Sequence, residues 1–215
     1  MGEITLVRHG QANSAADNEI DYDNLSDLGR QQARWLGAWM AAHDQTYDSV
    51  FSGTLNRQID TATEMGFPDA TRDARLNEIA YYDLTEEMSV YRPDLPRTSP
   101  SDFEVHFPAT LTAWKDGHLK GPETWDAFCA RVSEILVLAS QPGKKVLCVT
   151  SGGIIARAVS EILGLDIPQM ARIAVPIYNT SVHRFHVREE GPMLATFNSA
   201  PHLDVSDRIE ARTYY

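Results

Sequence analysis

The sequence is poor in cysteine, has no long apolar run, and carries fewer basic than acidic residues. Each scarcity removes a class of protein. Only two cysteines occur in 215 residues, Cys129 and Cys148, both in apolar surroundings. Two such thiols make neither a disulfide framework nor a cysteine-rich metal site, and they read as buried free thiols. No apolar stretch approaches the ~20 residues that cross a bilayer, and no secretory leader is visible at the start. The expectation is therefore a cytoplasmic protein with no membrane partner. Lysine and arginine number 19 against 30 aspartate and glutamate, a net charge of −11. That balance does not suit a nucleic-acid partner. An acidic chain that binds an anion must gather its few arginines into a local pocket. The remainder is 43% hydrophobic and 23% charged, an ordinary globular composition at a length for one domain with an insertion. No repeat, low-complexity tract or interdomain linker interrupts it.

The stretch ITLVRHGQA, residues 4–12, organises the rest. Ile4, Leu6 and Val7 read as a buried strand that delivers Arg8, His9 and Gly10 to its C-terminal end. Ligands bind at such strand ends in open α/β sheets. Arginine offers a planar fork of donors suited to phosphate. Histidine is a nucleophile or base near neutral pH, and glycine lets the backbone come close to a ligand. Taken alone, R-H-G is equally a capped strand end with a surface ion pair. The reading needs further parts of a phosphate site at other strand ends.

Such parts occur along the chain. Residues 13–24 read as a polar loop, and 25–43 as a helix capped by Ser26, with Leu28, Ala33, Leu36 and Met40 on its apolar stripe. A short strand over 49–53 leads into a helix over 54–66, capped by Ser52 or Thr54 and closed by Gly66. Arg57 falls in its first turn, where a guanidinium and the positive helix end face the same point. Residues 74–83, ARLNEIAYYD, read as extended, with Glu78 on an exposed edge. Residues 84–122, with Pro93, Pro96, Pro100, Pro108 and Pro122, read as an inserted lid of short helices in which His106 and His118 are surface groups or substrate contacts. A helix over 124–140 starts at Thr124. The strand in 144–153, KKVLCVTSGG, is a continuous buried run of the parallel-sheet type. It gives way at Ser151, Gly152 and Gly153 to a helix ending at Gly164, a turn that aims backbone N–H groups past the sheet edge. Residues 177–188 and 193–198 read as paired strands, and the tail from Ser199 as polar and loose.

In this order the segments resemble the histidine phosphatase superfamily, also called the phosphoglycerate-mutase-like family, over nearly the whole length. LVRHGQA looks like its signature strand end. LSDLGRQQA (25–33) is similar to its L-[ST]-x-x-G-x-x-Q-A helix, and SGTLNRQIDTA (52–62) to its arginine segment ending R-x-x-x-T-A. RLNE (75–78) resembles the L-x-E element, GPETWDAFCARV (121–132) the G-E-[ST] helix start, and VTSGGII (149–155) the V-[ST]-H-G-G turn. The resemblance implies a three-layer α/β/α sandwich with a mostly parallel central sheet, one domain over 1–215 with a lid at 84–122. It implies that His9 takes the phosphoryl group and that Arg8, Arg57, Ser151 and Gly152 hold its oxygens. Glu78 would protonate the leaving alcohol and then activate water. His9 must be neutral to attack, and two nearby guanidinium groups disfavour the imidazolium. The scheme uses no metal and no cofactor, and the partner is a small phosphorylated substrate. Nothing in the sequence separates a monomer from a homodimer.

Two positions depart from the pattern. Ser151 stands where the family usually has a second catalytic histidine, and Ala15 where many members carry asparagine. A lost charged hydrogen bond is worth roughly 1.5–3 kcal/mol, or about 10- to 150-fold in rate. Ser151 is expected chiefly to cap the helix behind it, with His106, His118 and His202 as reserve donors, and a histidine restored at 151 is expected to raise the rate. The leading expectation is a phosphatase acting on small phosphate monoesters through a phosphohistidine. The alternatives are a non-catalytic or weakly active phosphate-binding member and a phosphoglycerate mutase-type phosphotransferase.

Overall fold

The strand predicted around Ile4 forms because both of its faces are covered. In β1 (Gly2–Arg8), Ile4 and Leu6 face one way, Thr5 and Val7 the other, and all four are buried. The computed structural model describes residues 2–13, 19–95 and 100–214. Ala15 lies outside them, as do residues 96–99 of the expected lid. β2 (Ser49–Ser52), β3 (Thr71–Arg72) and β4 (Lys145–Thr150) run parallel to β1. β5 (Val182–Arg188) lies antiparallel on its other side and pairs with β6 (Gly191–Ser199). The sheet order is β3-β2-β4-β1-β5-β6.

The helices in chain order are α1 (Glu19–Tyr22), α2 (Asp27–Ala42), α3 (Asn56–Glu64) and α4 (Tyr81–Tyr91). α5 (Pro100–Lys115), α6 (Trp125–Ala139), α7 (Gly152–Leu163) and α8 (Ile167–Ala174) follow. Side chains of α2 and α3, among them Leu36, Met40 and Ala62, pack on Val7, Leu147 and Val149. The opposite sheet face, with Leu6, Val146 and Cys148, is covered from α5 to α8, by Leu111, Phe128, Ile155 and Met170. This is the expected sandwich of helices on both faces of a mostly parallel sheet. Both cysteines are free. Burial pushes the Cys148 thiol up to about 12, and the Cys129 sulfur accepts from Arg157 Nε at 3.1 Å.

The helix ends follow the sequence in part. Ser26 Oγ accepts from Gly29 N at 3.0 Å, Thr124 Oγ1 from Ala127 N at 3.1 Å, and Gly164 closes α7 in the left-handed region. Neither Ser52 nor Thr54 caps α3. The Asp23 carboxylate, from the stretch expected to be loop, accepts from Asn56 N at 2.9 Å and Arg57 N at 3.2 Å instead.

The expectations for 74–83 and for the tail need correction, and the segment after Gly164 adds a helix. Residues 74–83 are not extended: a 3-10 turn over Ala74–Leu76 follows β3, and α4 starts at Tyr81. The turn forms because Asp73 caps it, accepting from Arg75 N at 3.0 Å. The segment 164–176 contains α8, started by an Asp166–Gln169 capping box. The tail from Ser199 is not loose. Ala200, Leu203 and Ala211 form a small core of their own against Trp35 and Tyr178, and Arg208 lies 4.8 Å over the Trp35 ring.

Two histidines tie this packing to pH. His183 Nδ1 accepts from Asn198 N at 3.2 Å, so its other nitrogen donates to Ser181 Oγ at 2.9 Å and the ring is neutral. Burial lowers His183 and His202 to about 3 each. The unfolded chain takes up protons on these residues near pH 6.5, before the folded chain does. Their contribution to stability is therefore complete above pH ~6.5 and declines as pH falls towards ~3. The urea midpoint should be lower at pH 5.5 than at pH 7.5, still above the carboxylate range, whereas equal midpoints would contradict the neutral buried rings.

Candidate active site

The four parallel strands end on one edge of the sheet, and each delivers a piece of the site there. β1 ends in Arg8 and His9, β2 leads to Arg57 in the first turn of α3, β3 to the turn before Glu78, and β4 to Ser151 and Gly152. The exit from β1 is pressed against α2. A Cβ on Gly10 would lie 2.4 Å from the Gly29 carbonyl oxygen, and one on Gly29 would lie 2.1 Å from that of Gln11. Only glycine at both positions permits this approach.

His9 is 2% exposed. Its N–H donates to Thr150 O at 2.9 Å, and Asn179 Nδ2 donates to its carbonyl at 3.1 Å. Ring atom Nδ1 is 2.7 Å from the Gly10 carbonyl, which can only accept, so Nδ1 carries the proton. In the neutral ring Nε2 then keeps its lone pair. Burial first, and then the charges of Arg57 and Arg8, hold His9 well below its ordinary range.

The two guanidinium groups are themselves buried, Arg57 at 1% and Arg8 at 8% exposure. Arg57 Nη1 pairs with Asp23 Oδ1 at 3.0 Å, and its plane lies 5.0 Å over the Tyr22 ring. Arg8 Nη1 donates to the Tyr214 carbonyl at 2.7 Å and to that of Ile177. Burial lowers Arg8 from its ordinary value against the opposing influence of Tyr22 and Glu78; a guanidinium stays charged through such shifts.

Glu78 closes the site from the far side. Its Oε2 accepts from Gly153 N at 2.9 Å and its Oε1 from Ile79 N at 3.0 Å. The carboxylate therefore sits on the positive end of α7. A Cβ at Gly153 would lie 2.3 Å from Oε1, so the contact demands glycine. The turn that carries Glu78 is held from three sides. Leu76 O accepts from Gln58 Nε2 at 2.9 Å and Thr150 Oγ1 at 2.6 Å. Arg131 Nη1 donates to the carbonyls of Arg75 and Asn77 at 2.9 and 2.7 Å. Asn77 Oδ1 accepts from Thr54 N at 2.7 Å.

Ser151 behaves differently from its expected role. It is fully buried, and its hydroxyl accepts from Gln58 Nε2 at 2.8 Å. It makes no side-chain cap on α7, and the Gly153 N–H at that helix start goes to Glu78. It does not line the cavity above the arginines; its hydroxyl meets Gln58 instead. The reserve histidines are also elsewhere. His106 is buried, 3.1 Å from Tyr81 Oη and from Thr110 Oγ1; His118 stacks on Tyr91; His202 bonds Thr180 at 2.8 Å.

The cavity has a volume of about 380 Å³. Its charged end is Arg8, Arg57 and Glu78, with Gly152 and Gly153 beside them, and the rest is mainly aromatic. His9 is not part of the lining surface. Among the described residues no three metal-ligating side chains cluster, and no helix is long and apolar enough to cross a membrane. The arrangement offers a neutral imidazole, two fixed cations and a carboxylate on a helix end. Asp23, Tyr22, Gln58, Arg131 and Tyr214 have no local sequence signal for their parts in it, since each reaches a partner 34 or more residues away.

A model of the histidine phosphatase superfamily (branch 1) matches residues 4–200. A metal-independent phosphoserine phosphatase of Arabidopsis thaliana is 25% identical over 210 residues, covering 94% of this chain and 83% of that protein. A 2,3-bisphosphoglycerate-dependent phosphoglycerate mutase of Caulobacter vibrioides is also 25% identical, covering 85% of this chain and 89% of its own. Among solved structures, a phosphoserine phosphatase mutant of Entamoeba histolytica in complex with phosphoserine superposes with a TM-score of 0.68 at 19% identity, over 94% of this chain and all of that one.

Proposed function

The chain belongs to the histidine phosphatase superfamily, and from that premise we propose that it hydrolyses small phosphate monoesters through a phosphohistidine on His9. The observation that carries the reading is the state of the His9 ring. Its Nδ1 proton is committed to Gly10 O, and two guanidinium groups beside it disfavour a second proton. Nε2 attacks phosphorus, the bond to the leaving oxygen breaks, and Glu78, entering the step in its acid form, gives that oxygen its proton and is left as the carboxylate. Water then attacks the phosphohistidine, Glu78 takes its proton, and phosphate leaves. Arg8 and Arg57 supply fixed positive charge to the transferring phosphoryl oxygens. Gly152, at the start of α7, adds the positive end of a helix. We read residues 84–122 as the lid, since Phe103 and Phe107 from it face the cavity. The names of the relatives, phosphatases and a mutase of small phosphorylated metabolites, agree with this chemistry.

The test is turnover of p-nitrophenyl phosphate, followed by a comparison of leaving groups. Glu78→Gln keeps the Gly153 N–H contact but has no proton to give. It should lower kcat/KM for an alkyl phosphate by about 10²–10⁴-fold, and much less for p-nitrophenyl phosphate, whose phenolate leaves unaided. An equal loss on both esters would remove Glu78 from the proton-donor role. A wild-type protein that binds phosphate tightly but turns over no ester would favour the phosphate-binding alternative.

The expected gain from Ser151→His also changes. Gln58 fills the space beside Ser151, so an imidazole must first displace it, and overpacking costs typically 1–3 kcal/mol. The single variant should lose thermal stability without gaining rate. Adding Gln58→Ala makes room and should raise kcat above wild type. A double variant no faster than wild type would mean that the site does not accept a second imidazole.

A further inference from the structure

Beyond the charged end, the cavity changes character abruptly. Its wall consists of Tyr81 and Tyr82 from the first turn of α4 and Phe103 and Phe107 from α5, with Tyr22 and Tyr214 flanking the arginines. Ile79, Ala174 and Val175 complete it. The rings form a packed array: Phe103 stacks on Phe107 at 5.2 Å and 21°, and Tyr81 meets Phe103 and Phe107 edge-on at 5.8 and 5.4 Å. Tyr81 is fixed further by the buried His106, 3.1 Å from its hydroxyl. The wall is thus preformed, which spares a ligand the cost of ordering it.

Charge is confined to one end. Among the described residues lining the cavity, Arg8, Arg57 and Glu78 are the only Asp, Glu, Lys, Arg or His side chains. The two arginines are matched to a phosphoryl group, and Glu78 is engaged with Gly153 and Ile79. Among the described residues no further cation stands on the wall to receive a carboxylate. A leaving group that carries a carboxylate would have to lose its water against aromatic rings without a counter-charge. An apolar or aromatic leaving group gains by burial on the same surface, and offset or edge-on ring contacts add to it.

We propose that this cavity selects phosphate monoesters of uncharged aromatic or apolar alcohols, and that Tyr81, Tyr82, Phe103 and Phe107 determine that specificity. The inference rests on the phosphatase reading of the same site. It sets this chain apart from relatives named for phosphoserine or phosphoglycerate, whose ligands bear a charged group besides the phosphate. Glu78 and the wall are joined by sequence: Tyr82 lies four positions after the proton donor.

The experiment compares alkyl esters of similar leaving-group chemistry, so that intrinsic reactivity does not decide the result. We expect 2-phenylethyl phosphate to exceed both O-phosphoserine and 3-phosphoglycerate in kcat/KM by ~100-fold or more, and n-propyl phosphate by about 10-fold, in the range a pocket contact supplies. Phe103→Ala should reduce the phenylethyl-to-propyl ratio about 10-fold. Phe103→Arg, which places a cation on the wall, should shift preference towards 3-phosphoglycerate. Equal rates, or a preference for phosphoserine, from a protein that hydrolyses p-nitrophenyl phosphate would overturn the specificity and leave the phosphatase reading intact. If no ester is hydrolysed, the phosphatase reading fails and calorimetric binding decides the specificity. Phenylphosphonate binding at least ~10-fold tighter than 2-carboxyethylphosphonate supports it, and equal or weaker binding overturns it.

Discussion

His9→Ala is expected to lower turnover of p-nitrophenyl phosphate by ~10⁴-fold or more, the scale on which removal of a nucleophile acts, with the fold retained. The backbone bonds that fix residue 9, to Thr150 and Asn179, do not involve its side chain. Circular dichroism and the urea midpoint should therefore change little. Rapid quench with radiolabelled substrate should trap an acid-labile, base-stable phosphoenzyme in wild type and none in the variant. A labelled variant, or one within tenfold of wild type, would place the nucleophile elsewhere. The same ring sets the acid side of the pH profile. Because burial and the two arginines keep it neutral well below pH 6.5, the rate should not fall through an ordinary histidine titration as pH drops from 7 to 6. A loss centred near 6.5 that disappears with His9 would contradict the lowered pKa.

Arg57 carries the second large effect, in two separable parts. Arg57→Met removes one of two fixed cations from the transferring group, worth about 10²–10³-fold in kcat by analogy with loss of a single preorganised donor. It also leaves Asp23 facing a cavity without its guanidinium, and breaking a buried pair costs about 3–5 kcal/mol. Asp23 is partly exposed, so the lower end is expected. Adding Asp23→Asn relieves the stranded charge, and its single amide oxygen keeps one of the two bonds that the carboxylate makes through separate oxygens to the N–H groups of residues 56 and 57 at the start of α3. The double variant should recover most of the lost stability and none of the lost activity. Recovery of both would show that Arg57 acts on the fold and not on the phosphoryl group. Arg57→Lys keeps the charge without the planar fork over Tyr22, and should fall between Met and wild type.

The elements legible in the sequence were those whose signals are local. β1 and β4 announced themselves by buried runs, α2 and α6 by Ser26 and Thr124 ahead of an apolar stripe, and α7 by its exit from Gly-Gly to Gly164. Arg8 and His9 share the end of β1, Arg57 and Glu78 follow β2 and β3, and the parallel order of these strands brings them to one sheet edge. Hidden features depend on distant partners. Tyr22 and Asp23 look like loop residues until Arg57 is beside them. The turn before Glu78 has no strong periodicity of its own and is shaped by Arg131 and Gln58. The tail reads as polar because its few apolar residues are widely spaced, yet Leu203 and Ala211 suffice to anchor it on Tyr178 and Trp35. Ser151 has the local pattern of a cap, yet its hydroxyl meets Gln58, 93 residues earlier in the chain.

Arg8 is gripped by the carbonyls of Ile177 and Tyr214, and these belong to a part of the chain made long after it. On the ribosome the arginine emerges some 200 residues ahead of the atoms that cradle it. Its strand cannot be flanked on both sides until β4 and β5 have been synthesised. Nascent chains should consequently be devoid of phosphate affinity until Tyr214 has been made, and the ability to bind should arrive late and abruptly, as contacts distant in sequence close together.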